Sequence, residues 1–215
     1  MELRESMTFF NAMLEDMKSQ MEEKNTLIRE LKEDNNILRS TVSDLSNRLN
    51  LVEQNMRDGN IKVNGIPENK NENLVKTIEQ LSKIIGEPIS PEDILLTTRV
   101  AKLNKDNDRP RTVIVKLRTP RHRDAILAAV VSYNRKNKED KLCTHHLGYR
   151  GARKPVFVSE HLSPVNKSLH AAARIRAKEL NFKYTWVRNG RIFMRRDDFG
   201  EAVLVRNREC LDLIK

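Results

Sequence analysis

The chain is expected to fold as an α+β protein. An N-terminal parallel coiled coil covers residues 1–58, a βαββαβ domain covers 59–162, and a small α/β C-terminal domain with a β-hairpin covers 163–215. Three features set that expectation. Sixteen successive heptad core positions run to residue 56, and fourteen of them are apolar. Through the middle of the chain, segments of period-two alternation follow segments with one apolar helical face. Near the C-terminus, Asn189-Gly190 separates two alternating runs, among the strongest short hairpin signals.

As alternating d and a sites the seam is Leu3, Met7, Phe10, Leu14, Met17, Met21, Lys24, Ile28, Leu31, Asn35, Leu38, Val42, Leu45, Leu49, Val52 and Met56. So narrow a stripe cannot be buried by its own helix, so self-association is expected. Asn35 at an a site pins register and often goes with two strands. Against that, Arg48-Leu49-Asn50-Leu51-Val52-Glu53 places Arg48 at g, Leu49 at a, Val52 at d and Glu53 at e, an arrangement that resembles a trimer-favouring motif. The alternative for Arg48 and Glu53 is an ordinary solvated pair of little energetic weight. The balance favours a homotrimer held by Leu31, Asn35, Leu38, Val42, Leu45, Arg48, Leu49, Val52 and Glu53. Lys24 weakens the core locally, and Asp58-Gly59 is expected to end the helix. The heptads begin at Leu3 with no leader before them, so the chain reads as a truncated copy or a piece of a longer protein.

Asn60 to Pro67 alternates as a short strand stopped by Gly and Pro. Leu74, Ile78, Leu81, Ile84 and Ile85 share one helical face. A second strand is expected from Leu95 to Leu103, then a polar loop over Asp106–Pro110, then the β-branched strand Thr112–Leu117. Arg123 to Tyr133 follows as a helix with Ile126, Leu127, Val130 and Val131 to bury, and Pro155–Ser159 as a fourth strand. This order matches a small α/β sandwich of the RNA-recognition type. Such domains stack bases on aromatics of their two central strands, but the first strand here offers Ile61 and Val63 and the third offers Val113, Val115 and Leu117. Arg99, Arg111, Lys116 and Arg118 stand near the strand ends instead, which suits phosphates rather than bases.

Charge is divided along the chain. Residues 1–58 carry 8 Lys and Arg against 12 Asp and Glu, net −4; residues 59–215 carry 32 against 18, net +14, together the overall +10. A basic body on an acidic stalk fits a polyanionic partner for the body and copies of itself for the stalk. Arg153 and Lys154 add to the basic stretch before the fourth strand.

Past Ser163-Pro164, Leu169, Ala172, Ala173, Ile175, Arg176 and Leu180 outline a helix to Asn181, with Arg174, Arg176 and Lys178 near one side. The hairpin follows as Lys183–Arg188 and Arg191–Arg196. Tyr184, Trp186 and Arg188 share one face of its first strand, and Arg191, Phe193 and Arg195 share one face of its second. If those faces coincide, aromatics interleave with arginines, the chemistry of single-strand binding. The alternative is that Trp186 and Phe193 pack against the helix beneath.

These segments resemble the nucleic-acid-binding proteins of the first reading frame of LINE-type retrotransposons, and the body is similar to the baculovirus few-polyhedra (FP) proteins. The likeness rests on the coil ending in Arg48–Glu53, the strands Ile61–Pro67 and Val113–Leu117, and Pro155 through Arg196, with Lys183–Ile192 the most specific to the FP group. It implies a homotrimer that coats single-stranded RNA, promotes annealing and strand exchange, and packages its own transcript. It also implies a binding cleft between the two domains, lined by Arg99, Arg111 and Arg118 on one side and Arg174, Arg188 and Arg191 on the other. Arg176, Arg195, Arg196, Tyr184 and Trp186 complete the candidate set.

No phosphate loop, Gly-x-Ser-x-Gly or His-Glu-x-x-His is present, so no enzyme is expected. Cys143, His145 and His146 lack a second ligand pair, so neither metal nor cofactor is expected. With two cysteines, no apolar span and no signal-peptide pattern, the expectation is a soluble protein of a reducing compartment, away from membranes. Cytoplasmic ribonucleoprotein particles are the expected location, the nucleus a second one. The expected partner is single-stranded RNA, with single-stranded DNA as its variant. The competing reading is a coiled-coil adaptor, viral or cellular, whose basic body docks on an acidic protein.

Overall fold

The computed structural model describes residues 2–102 and 107–214, with side chains from Ser6 onward. The side chain of Leu3, Leu103 of the expected second strand and Asp106 of the expected loop lie outside the described residues. The chain divides into two compact units, Met1–Leu49 and Asn50–Lys215.

The first unit is helical throughout. Helix α1 spans Glu2–Asn55 without a break, in a stretch that holds neither Gly nor Pro before Gly59. Its apolar seam side chains from Met7 to Leu49 are each 48–65 % exposed. Helices of this length draw their stability from a packed apolar face, and on one chain this face is bare. Arg48 Nη1 lies 3.7 Å from Asp44 of its own helix, and Asn35 Oδ1 accepts from Arg39 Nε at 2.8 Å. Both are exposed pairs that contribute little.

The second unit begins with the end of α1, and the heptad shows how it is attached. Asn50 and Gln54 hold the outward b and f positions. Asn50 Oδ1 accepts from Ser163 Oγ at 2.6 Å, and Gln54 Oε1 accepts from the Ser163 N–H at 2.9 Å. Gln54 is 7 % exposed, whereas the seam residues Val52 and Met56 are 55 % and 74 % exposed. Within this unit Asn50 and Gln54 are held by hydrogen bonds to Ser163, while the seam positions Val52 and Met56 stay exposed. The helix then tightens, with the Arg57 and Asp58 N–H groups reaching carbonyls three residues back. Gly59 serves a different purpose from the expected C-cap: its backbone lies against the strand Val113–Leu117, where a Cβ would meet the Leu117 carbonyl oxygen at 2.9 Å.

Strands β1 (Asn60–Asn64), β2 (Ile94–Arg99), β3 (Val113–Leu117) and β4 (Phe157–Glu160) form one sheet in the order β2-β3-β1-β4, with every neighbour antiparallel. Helices α2 (Leu74–Ile84) and α3 (Pro120–Lys136) contribute Ile78, Leu81, Ile126 and Val130 to its core. Thr119 caps α3 by accepting from the His122 N–H, and Pro120 takes the first turn, which starts the helix three residues earlier than expected. Ile61, Val63, Val113, Val115 and Leu117 all point into this core. None of these five side chains is therefore available on the open face of the sheet. By alternation the opposite face carries Lys62, Ile114, Lys116, Phe157 and Ser159.

The C-terminal elements are α4 (Pro164–Glu179), the sheet β5-β6-β7 (Tyr184–Arg188, Arg191–Arg195, Val203–Val205) and α5 (Arg208–Leu213). Ile192 and Met194 pack on Leu169, Ala173 and Ala177 of α4, closed by Val205 and Leu211. Val131, expected to be buried, is exposed one position past Val130, and Ile175 of α4 is exposed midway between the buried Ala173 and Ala177. β7 and α5 were not expected, since three and six residues are too short to show a period.

The hairpin turn ties these layers together. Asn189 and Gly190 both have positive φ, 52° and 70°, as a type I′ turn requires. Their two N–H groups donate to the two oxygens of Glu160 on β4, at 2.9 and 2.7 Å. Arg123 of α3 donates to Asn189 Oδ1 at 2.7 Å, and Asn166 of α4 donates to the Gly190 carbonyl at 3.1 Å. A Cβ on Gly190 would stand 2.5 Å from Gln54 Cγ, and Gln54 is buried and hydrogen-bonded at both ends of its amide. Gly190→Ala is expected to lower stability by about 2 kcal/mol, read as a lower urea midpoint at unchanged m value.

Candidate nucleic-acid interface

The register of the hairpin pairs Tyr184 with Arg195, Trp186 with Phe193 and Arg188 with Arg191. All six side chains therefore stand on one face, and it is the face turned away from α4, since Ile192 and Met194 fill the inner one. Trp186 and Phe193 stack on each other, with ring centroids 5.5 Å apart and planes 14° off parallel. This corrects the alternative in which they pack on the helix. Arg195 lies over the Tyr184 ring at 4.8 Å, and its Nε is buried without a hydrogen-bond partner. Tyr184 Oη and Lys183 Nζ both donate to Asp198, which orders the far end of the strip.

The result is a strip of two exposed arginines, an aromatic pair, then a stacked Tyr–Arg pair, with successive pairs about 7 Å apart. Arg188 and Arg191 are exposed and form no ion pair among the described residues. Beside them a groove of about 520 Å³ runs between α3 and the hairpin, lined by Leu127, Val131, Arg135, Glu160, Val187 and Arg188 among others. Such a strip offers ring faces to bases and guanidinium groups to phosphates at alternate positions.

The other candidates divide by what their charges already do. Arg99 is removed from the set: its side chain is 4 % exposed, its guanidinium pairs with Glu72 at 2.5 Å, and it also donates to the Ile66, Pro67 and Arg111 carbonyls. The bond to Arg99 holds the Glu72 carboxyl below the usual carboxylate range despite burial. Arg176 is removed for the same reason, donating to the Leu211 and Ile214 carbonyls and so fastening the C-terminal helix. Arg111, Arg118 and Arg153 are partly exposed but pair with Glu68, Asp93 and Asp140. Arg196 lies over the Phe182 ring at 5.1 Å. Lys116, Lys154 and Arg174 are exposed and form no ion pair among the described residues. Arg174 stands beside His170, whose pKa is lowered by burial first and by that guanidinium second.

Four positions that shape these surfaces escaped the sequence. Phe157, 61 % exposed on the open sheet face, is legible from its phase opposite Val156 and Val158. Lys62 is legible in the same way, between Ile61 and Val63. Glu160 and Arg123, which hold the turn, left no local signal because their partners are distant in sequence. The Cys143–His146 cluster gains Asp140: His146 Nδ1 lies 3.5 Å from Cys143 Sγ and its Nε2 lies 3.2 Å from Asp140. Arg153 already occupies that carboxylate, and the Cys143 N–H donates to His146 Nδ1, so the residues form a closed hydrogen-bonded group that fits a metal poorly. No described helix is long and apolar enough to cross a membrane.

Residues 163–215 match the family described as Baculovirus FP protein domain 2, beginning at the Ser163 cap of α4 and taking in the whole hairpin. No curated protein matches this chain.

Proposed function

We propose that this chain is a self-associating, single-stranded RNA-binding protein that coats and packages an element's transcript and acts by binding, without catalysis. The observation that carries the proposal is the hairpin strip, in which Trp186, Phe193 and Tyr184 share the outer face of a braced turn with Arg188, Arg191 and Arg195. A strip of this kind binds with low sequence preference, because every base has a ring face and every linkage a phosphate. The bare seam of α1 supports a parallel homotrimer, and linking three bodies multiplies the affinity of each. The βαββαβ order and the antiparallel order β2-β3-β1-β4 support an RNA-recognition-type domain over 59–162, between a coil over 1–58 and an FP-like domain over 163–215. Cytoplasmic ribonucleoprotein particles would be its location.

The adaptor reading has less behind it. The groove beside the hairpin mixes Asp124 and Glu160 with Arg135 and Arg188, and so does not present a uniformly basic surface to an acidic protein. The test of the proposal is binding to a mixed-sequence single-stranded RNA, with Trp186→Ala beside wild type. Loss of stacking is expected to cost about 1–3 kcal/mol per body while leaving the salt dependence unchanged. Equal affinity for the two proteins would contradict the strip as the contact surface.

Copy number has its own test. Arg48→Ala is expected to shift trimer toward dimer or mixed states, measured as mass in solution. A trimer mass unchanged by the substitution would show that Arg48 does not set the copy number.

A further inference from the structure

The turn that carries Arg188 and Arg191 touches the end of α1, whose residues from Asn50 onward belong to the same compact unit as the hairpin. Gln54 is polar yet only 7 % exposed. Its Oε1 accepts from the Ser163 N–H at 2.9 Å and from Asn166 Nδ2 at 3.2 Å, and its Nε2 donates to the His161 carbonyl at 3.3 Å. The same Asn166 amide nitrogen donates to the Gly190 carbonyl at 3.1 Å. Asn50, one helical turn before Gln54, closes the ring by donating to Asn166 Oδ1 at 3.0 Å and accepting from Ser163 Oγ at 2.6 Å. Gln54 also lies directly against Gly190, where a Cβ would stand 2.5 Å from its Cγ and 3.0 Å from its Nε2. Beside it Asn189 holds a left-handed backbone, which a non-glycine residue keeps only where its surroundings fix it.

A buried amide that loses its partners is costly, so the seat of the turn and the helical state of residues 50–54 are linked. Asn50 and Gln54 reach the network together only where the chain is helical, which sets residues four apart on one face. The same short stretch carries two seam residues, Val52 and Met56, which are 55 % and 74 % exposed. Partner helices packed on that seam hold these turns helical, whereas a helix with a bare seam frays at its end. We infer that Gln54 is a positioning residue of the strand-binding strip, and that through it self-association raises the affinity of each single body for a single strand, separately from avidity; this rests on the single-strand reading above. The end of α1 is the element with two states, helical or frayed, and both the seam and the turn bias it toward the helical one. Such coupling is reciprocal, so a strand bound at the hairpin tightens the oligomer.

Two arms test this on the full-length chain. In the first, the probe is a mixed-sequence RNA of about four nucleotides, near the smallest site of a single-strand module, so that each molecule occupies one body and avidity drops out. Leu38→Asp/Leu45→Asp opens the seam at two exposed positions and is expected to weaken binding of this probe about tenfold. Gln54→Ala is expected to weaken it about as much, with oligomer mass and salt dependence unchanged. Combining all three substitutions should cost no more than either variant alone, because the seam acts through Gln54; independent roles would add. Where Gln54→Ala does not fold, Gln54→Glu replaces it, since it keeps the acceptor for Ser163 and Asn166 and removes only the donor to His161. In the second arm, which needs no RNA, hydrogen exchange of the Asn189 and Gly190 N–H groups is expected to quicken about tenfold when the seam is opened. Equal affinity of wild type and the opened seam for the short RNA, or additive losses, overturns the inference. Exchange unchanged by opening the seam overturns it as well. Exchange that quickens on opening the seam, in a protein that binds no RNA, would uphold the coupling and overturn the single-strand reading.

Discussion

Reversing Arg188 and Arg191 to Glu is expected to abolish binding of single-stranded RNA, with a loss of at least about a hundredfold at moderate salt and no change in oligomer mass. Both side chains are exposed, neither forms an ion pair among the described residues, and they face each other across the hairpin beside the Trp186–Phe193 stack. Their reversal therefore removes phosphate contacts and adds repulsion without breaking any internal bond. In a trimer the change is made three times over, so the avidity that multiplies weak contacts is lost as well. Neither residue belongs to the α1 seam, which makes the oligomer mass an internal control. Affinity unchanged by the double reversal would remove the hairpin from the interface.

Arg123→Ala is expected to be the most damaging single truncation in the body, costing about 3 kcal/mol. Its guanidinium is 3 % exposed yet donates to Asp124 at 2.7 Å and to Asn189 Oδ1 at 2.7 Å, and lies 3.7 Å from Asp58. Truncation leaves the Asp58 carboxylate without its counter-ion and frees the turn that carries Arg188 and Arg191. The melting temperature should fall by about 10 °C for a domain of this size. Glu160→Gln separates bracing from charge. It raises the net positive charge, which by itself favours a polyanion, yet it weakens the acceptor for both turn N–H groups. RNA affinity is expected to drop. A rise would mean that the turn needs no brace.

How much of this was visible beforehand depends on the range over which each feature is decided. The long N-terminal helix, the helical face of α2 and the Asn189–Gly190 turn are set by residues within a few positions of one another, and each formed at or near its expected place. The coincidence of Tyr184, Trp186 and Arg188 with Arg191, Phe193 and Arg195 followed from the turn type, because a two-residue loop fixes the register. Arg99 shows where local reading fails. Nothing around it in sequence reveals that Glu72, 27 residues earlier, and three backbone carbonyls would surround it. The same holds for Asn50 and Gln54, whose partners Ser163 and Asn166 lie more than 100 residues away. On β1 local alternation is sufficient: Ile61 and Val63 take the buried side and Lys62 the accessible one.

The most direct test of the whole account is the affinity of the purified protein for a mixed-sequence single-stranded RNA across a salt series, with oligomer mass recorded in the same buffers. The account predicts tight binding by a trimer, weakening with salt at a log–log slope of about −0.7 for each phosphate contacted. No binding at low salt by a correctly assembled oligomer would contradict it.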